Sequence, residues 1–175
     1  MEEKIKISID LMGGDNSPEK TLSGIDIFLE RNKDLKDCFF YLFGDEEKVK
    51  NKIKESKHLN SNYKLINTKI TVSNELSPLS ALKKGKGSSM WESINSQNSL
   101  NSDVTLSAGN TGVFMVMSKM ILKTMDGVDK PALAGLWPSD DGMNIVLDLG
   151  ANVECNEKNL IDFSEMGTAL YHSLF

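Results

Sequence analysis

Three glycine-rich turns, each set where an apolar extended segment ends, constrain this chain more than any other feature. They are Ser8-Ile9-Asp10-Leu11-Met12-Gly13-Gly14-Asp15, Ser107-Ala108-Gly109-Asn110-Thr111-Gly112 and Leu147-Asp148-Leu149-Gly150-Ala151-Asn152. An α/β sheet binds ligands at the carboxyl ends of its strands, where the connecting loops converge on one crevice. Glycine lets backbone N–H groups come close to a ligand, and a helix starting just after the turn adds the positive end of its dipole. Three such turns point to an anion site, most simply a phosphate site.

The segments around the turns alternate in type. Ile5, Ile7 and Ile9 alternate with polar residues, which predicts a half-buried strand ending at Asp10. Ser17 and Pro18 then mark a helix start, Ser17 as N-cap and Pro18 at the first helical position, with Leu22, Ile25, Phe28 and Leu29 on its apolar face. Residues 38–43 are wholly apolar and predict a strand buried on both faces, followed by a charged helix over 46–55. Weaker extended segments lie at 63–66 and 70–72. The stretch 73–87 reads as irregular, with Pro78 and the basic run Lys83-Lys84-Gly85-Lys86-Gly87. A helix capped by Ser88 or Ser89 is expected to run to about residue 97. A strand over 104–106, the second turn and an apolar helix over 113–124 come next. Strands over 132–136 and 144–148 and a last helix over 158–174 complete the pattern. Strands alternating with helices imply a parallel sheet covered on both faces, with residues 1–175 forming a single α/β domain. The final run Leu170-Tyr171-His172-Ser173-Leu174-Phe175 is apolar and uncapped, so the chain is expected to be part of something longer.

Composition narrows the function. With 39% hydrophobic and 26% charged residues among 175, the chain reads as globular rather than disordered. Its net charge of −5, from 20 basic and 25 acidic residues, argues against nucleic-acid binding. No apolar run reaches membrane-spanning length, and Met1-Glu2-Glu3-Lys4 leads straight into a strand, so no signal peptide is expected. Cys38 and Cys155 fit no zinc or C-x-x-C spacing, and a reducing cytoplasm suits both. Cys38 reads as a buried thiol. Cys155 follows the third turn, but no histidine pairs with it recognisably. His58 reads as surface and His172 as structural, so a hydrolase triad is not expected.

The turn at 107–112 presents N–H groups and hydroxyls to one point, where phosphate oxygens or a developing oxyanion fit. No Gly-Lys-Ser/Thr closes it, so it is not a Walker A loop, and it is not GxGxxG. A well-capped helix after a tight turn is the plainer explanation. Asp10 and Asp15 flank Gly13-Gly14, where carboxylates orient a lysine, hold a metal or position a hydroxyl, or simply cap loop N–H groups. Asn152, beside Asp148 and Glu154, carries both a donor and an acceptor. Lys84 and Lys86 offer attraction to phosphate or an acidic partner, or form a solvated face. Met115, Met117, Met120 and Met125 read as core filler.

The turns at 8–15, 107–112 and 147–152, with Ser88-Ser89-Met90 and Pro131-Ala132-Leu133 between them, together resemble the PlsX family of phosphate acyltransferases. The family usually has alanine where Leu11 and Val113 stand and arginine at Lys130, and Gly85 and Gly87 depart from its basic loop. The resemblance implies a three-layer α/β/α sandwich with a mostly parallel sheet, similar to isopropylmalate dehydrogenases and phosphotransacetylases. Members are about twice as long, so the chain corresponds to an amino-terminal half and an incomplete fold. The missing part would hold further strands, much of a homodimer contact and a region touching the inner face of the membrane.

The implied reaction is attack of inorganic phosphate on the thioester of a long-chain acyl-[acyl carrier protein], giving acyl phosphate for phospholipid synthesis. No cofactor, metal or covalent enzyme intermediate is implied. Ser107, Asn110 and Thr111, with the Gly109 and Gly112 backbone, would contact phosphate and the oxyanion, and Asn152 the reacting group. Asp10 and Asp15 would order the loop around Gly13 and Gly14, while Lys84 and Lys86 attract phosphate or the acidic carrier. The alternatives are a phosphotransacetylase-like enzyme using a coenzyme A thioester, and a truncated remnant that binds phosphate without chemistry.

Overall fold

In a computed structural model that describes residues 4–33, 37–59, 61–73, 76–140 and 142–175, the chain divides into two compact units, Met1–Leu122 and Lys123–Phe175. The first unit is built on four parallel strands. β1 (Ile5–Asp10) lies between β2 (Cys38–Gly44) and β4 (Val104–Ser107), and β3 (Tyr63–Asn67) extends the sheet beyond β2. Helices α1 (Glu19–Arg31) and α2 (Glu46–Glu55) cover one face, where Leu22, Ile25, Val49 and Ile53 pack with Ile9, Cys38, Phe40 and Leu42. The period-two alternation of β1 and β2 puts those strand residues on one side.

The opposite face carries α4 (Ser89–Ser99), which runs against β1, β2 and β4. Here Ser8 Oγ and Ser96 Oγ lie 2.5 Å apart, and Ser96 Oγ also meets Ser102 Oγ at 2.8 Å. Small side chains let the helix close on the strand, and their hydroxyls satisfy one another. The polar face of β1 is therefore not solvated, as the alternation implied: Ser8 and Asp10 are 0% and 1% exposed. A second core joins α3 (Pro78–Lys84), α4 and α5 (Thr111–Leu122) through Ala81, Met90, Ile94, Val113 and Met117. Of the methionines expected there as filler, Met117 is buried, whereas Met120 and Met125 are exposed.

Two helix starts differ from expectation. The stretch expected to be irregular holds α3, with Pro78 at its first position and Ser80 N–H donating to the Ser77 hydroxyl at 3.4 Å. The Ser-Pro start signal was present, but the glycines and lysines just beyond it obscured so short a helix. Conversely, Ser17 does not cap α1. Pro18 occupies that position, and the Ser17 hydroxyl donates instead to the Gly13 carbonyl, so the first turn claims it.

In the second unit, β5 (Ala134–Ser139) and β6 (Gly142–Leu147) pair antiparallel, and α6 (Glu157–Leu174) packs on β6. The mostly parallel arrangement expected holds in the first unit, while this pair is antiparallel, because a parallel pair needs a long crossover and these strands are joined by a short connection. β5 also starts at Ala134 and runs on to Ser139, whereas the sequence pattern placed this strand over 132–136. Gly167 in α6 gives β6 close access: a Cβ there would lie 2.8 Å from Leu147 Cδ1. Among the described residues no helix is long and apolar enough to cross a membrane.

Gly24 lies in the interior of α1, and a Cβ built on it meets nothing within 4 Å. Gly24→Ala is expected to stabilise the chain by about 0.5–1 kcal/mol, read as a higher midpoint in thermal unfolding. A lower midpoint would mean that the exposed side of α1 is not open there.

Candidate functional site

Parallel pairing sets Asp10 opposite Ser107, so β1 and β4 deliver their turns to the same end of the sheet. The buried Asp10 carboxylate ties the turns together. Its Oδ2 accepts the Ser107 hydroxyl at 2.8 Å, and its Oδ1 accepts the Met12 N–H at 3.0 Å. Ser107 Oγ in turn accepts the Gly109 N–H at 3.1 Å. Gly13 fills the junction so closely that a Cβ would lie 2.5 Å from Asp10 Oδ2, 2.7 Å from Ser107 Oγ and 2.9 Å from Gly109 N. Gly14 has φ +87°, and its Cβ would lie 2.5 Å from the Ala108 carbonyl oxygen. Behind Gly109 stands Met90 of α4, whose Cε would be 2.5 Å from a Cβ there. Neither Ala108 nor Met90 stood out as a site residue in the sequence; the traces were a small residue between Ser107 and Gly109 and the place of Met90 in the Ser88-Ser89-Met90 motif.

In front of this junction lies a hollow of ≈ 410 Å³ lined by Gly14, Asp15, Ala108, Gly109, Asn110, Thr111 and Gly112. α5 starts at Thr111, and Asn110 Oδ1 caps it by accepting the Val113 N–H at 3.0 Å. The N–H groups of Thr111 and Gly112 have no protein acceptor among the described residues. Two orphan donors at the positive end of a helix dipole make a site for anionic oxygen. Asp15 brings an exposed carboxylate to the rim. Attraction for an anion therefore rests on backbone dipoles, because no lysine or arginine among the described residues lines the hollow.

The other expected residues lie elsewhere. A Cβ on Gly112 would sit 3.5 Å from Pro78 Cγ, whereas one on Gly85 would meet Met117 Cε at 2.4 Å. α3 thus turns its first residue toward the hollow, and the exposed Lys84 and Lys86 stand at its far end. The third turn belongs to the second unit and is closed by its own bonds. Asn152 Nδ2 donates to the Pro131 carbonyl at 2.9 Å and to Asp148 Oδ1 at 2.8 Å, and the Asn152 N–H donates to the same carboxylate oxygen at 3.2 Å. Asp10, Gly13, Gly14, Asp15, Ser107, Gly109, Asn110, Thr111 and Gly112 are brought together in the first unit; among the described residues of that unit Lys84 and Lys86 do not line the hollow, and Asn152 belongs to the second unit.

Cys155 is exposed in the second unit, with its thiol 3.5 Å from Asp148 Oδ2. Desolvation pushes the thiol pKa up, and Asp148 adds to this by accepting the S–H and by its charge, against a smaller opposing pull from Lys130. This is the reverse of an activated nucleophile. Among the described residues, no three His, Cys, Asp or Glu side chains gather into a set that could hold a metal ion.

A family model described as "Fatty acid synthesis protein" matches residues 5–175. A phosphate acyltransferase from Pelagibacter ubique (strain HTCC1062) is 47% identical over 175 residues, 100% of this chain and 51% of the relative. Another, from Sinorhizobium medicae (strain WSM419), is 40% identical over 172 residues, 98% of this chain and 49% of the relative. The chain spans about half the length of the curated relatives it matches. Among solved structures, the EutD phosphotransacetylase from Staphylococcus aureus shares the fold, with a TM-score of 0.60 at 18% identity over 91% of this chain and 50% of that one.

Gly13→Ala forces a methyl group into the Asp10–Ser107–Gly109 junction and is expected to cost about 1–3 kcal/mol in urea unfolding. Gly112→Ala, whose Cβ meets nothing closer than 3.4 Å, is expected to be tolerated. Equal costs for the two would remove the close approach as the reason for Gly13. For Cys155, less thiolate at neutral pH means slower alkylation by iodoacetamide than a free cysteine shows, and Asp148→Asn should speed it. An unchanged rate in that variant would exclude Asp148 as a cause.

Proposed function

The chain belongs to the fatty acid synthesis protein family, the PlsX family of phosphate acyltransferases, and from that premise we propose that it supplies the phosphate-binding part of an enzyme acylating inorganic phosphate. The donor in this reading is a fatty acyl-[acyl carrier protein], and the segment corresponds to the amino-terminal half of a longer family member. The observation that carries it is the hollow beside Gly14, onto which α5 opens with the N–H groups of Thr111 and Gly112, which have no acceptor among the described residues.

A phosphate oxygen attacks the thioester carbonyl carbon, and the carbonyl electron pair moves to its oxygen. Collapse of the tetrahedral intermediate breaks the C–S bond as the new C–O bond is kept. The carrier's sulfur leaves with the electron pair and takes up the proton released by phosphate, so the products are acyl phosphate and free carrier thiol. Phosphate is itself the nucleophile, which makes its placement the main task of the protein. Thr111 and Gly112 hold it by backbone N–H groups, with the Thr111 hydroxyl and Asn110 beside them. The Asp15 carboxylate at the rim accepts a P–OH hydrogen, which selects an unprotonated oxygen for attack.

Lys84 and Lys86, exposed and away from the hollow, suit long-range attraction of an acidic carrier protein better than contact with phosphate. The same reading includes acyl phosphate as a precursor for phospholipid synthesis, a homodimer, and a cytoplasmic protein that meets the inner face of the membrane.

Proline is accommodated at the first position of a helix but has no N–H to give. Thr111→Ala deletes the hydroxyl alone, and Thr111→Pro deletes hydroxyl and N–H together. Each lost contact is expected to weaken phosphate affinity by about tenfold in calorimetric titration, with α5 intact by circular dichroism. Thioester consumption should follow phosphate concentration and be faster with acyl-carrier than with acyl-coenzyme A. Equal phosphate affinity for wild type and Thr111→Pro would remove the hollow from the reaction, and preference for coenzyme A would replace the donor.

A further inference from the structure

We infer that Asp10 and Ser107 are positioning residues, a buried relay that sets the second turn so that the Thr111 and Gly112 N–H groups aim at phosphate while neither side chain touches it. This rests on the phosphate reading above and changes the role the sequence suggested for Ser107. A carboxylate only accepts, so the hydrogen of the Ser107 hydroxyl is the one that bridges to Asp10 Oδ2 at 2.8 Å. The hydroxyl's lone pair then faces the Gly109 N–H at 3.1 Å. Phosphate oxygens need donors, and Ser107 has no second hydrogen to give. Donating to phosphate would leave a carboxylate oxygen, on a residue 1% exposed, without its partner.

The relay has little slack. The other Asp10 oxygen is held by Met12 N–H, so the same group sets the first turn. Gly109 is pressed from behind by Met90 and in front by Gly13, whose Cα would lie 3.5 Å from a Cβ on Gly109. With Gly109 fixed, Asn110 follows as the cap and α5 begins at a set place and angle. One carboxylate on β1 thereby directs donors about 100 residues away in the chain.

The test uses amide hydrogen exchange and phosphate titration by NMR on the intact chain. Ser107→Ala should speed exchange at Gly109 and leave Met12 unchanged; Asp10→Ala, which removes both acceptor oxygens, should speed both. Each should weaken phosphate by about tenfold, and the double variant by no more than the worse single one, because the two act in series. Ser107→Thr, which keeps the hydroxyl, should hold Gly109 exchange and phosphate affinity. In the wild-type chain, which depends on no variant folding, phosphate should slow exchange at Thr111 and Gly112 and leave Gly109 as it was. A Gly109 amide indifferent to Asp10→Ala, losses that multiply in the double variant, or phosphate changing Gly109 exchange would overturn the relay with phosphate binding intact. A wild-type titration that moves neither Thr111 nor Gly112 would sink the phosphate reading itself, and the relay's purpose with it.

Discussion

The carboxylate of Asp10 is the point on which the candidate site depends. Removing a carboxylate from water is costly unless its oxygens find donors, and at 1% exposure this one has the Ser107 hydroxyl on one oxygen and the Met12 N–H on the other. Those partners arrive because β1 and β4 pair in parallel with Asp10 opposite Ser107, so the tie is a consequence of sheet register. Once it is made, only glycine fits at position 13, and the chain leaving Ser107 has a fixed course into α5. Strand pairing thereby determines where a helix begins and where its orphan donors point.

Core packing on the two sides of the sheet makes that tie possible in different ways. On the α1 and α2 side, ordinary aliphatic and aromatic residues fill the space. On the α4 side the contact is made by Ser8, Ser93 and Ser96, each 0% exposed. Ser93 and Ser96 return hydrogen bonds to helix carbonyls one turn earlier, so the hydroxyls are satisfied without water. Larger side chains there would lift α4, and with it Met90, away from Gly109.

Much of this was legible in the sequence, and the reasons differ where it was not. Glycines at the ends of apolar segments announced the turns because close approach and positive φ leave few other choices, as Gly13 and Gly14 show. β2 followed from its apolar run, α2 from the charged stretch after it and α4 from a cap at Ser88 or Ser89, which the structure gives to Ser88. The burial of Ser8 was hidden because alternation reports hydrophobicity, and a polar residue under a helix looks like one facing solvent. The antiparallel β5–β6 pair was hidden because strand direction is a property of the connection rather than of the strands. Within the site, positions were easier to read than roles. Ser107 looked like a phosphate contact, since nothing local reveals that its hydrogen goes to a carboxylate 97 residues earlier. Asn152 likewise looked available, although its amide donors close its own turn.

The way the hollow would hold an anion bears on the chemistry proposed for it. Long-range attraction to a chain of net charge −5, with Asp15 at the rim, is weak, and among the described residues no cation lines the hollow to reinforce it. Backbone N–H groups instead recognise phosphate by direction at short range. For a phosphate that must attack a carbonyl, such modest holding is an advantage. Binding the ground state as tightly as the transition state lowers the concentration needed for saturation without raising the rate. A lysine pressed against the attacking oxygen would also draw off the electron density the reaction uses. In that proposal, two N–H groups on the oxygens that do not attack, and a carboxylate accepting the remaining hydrogen, would orient phosphate while leaving its nucleophilic oxygen unquenched. The placement of Lys84 and Lys86 at the far end of α3 fits the same division: cations where a partner is to be attracted, and dipoles where a nucleophile is to be aimed.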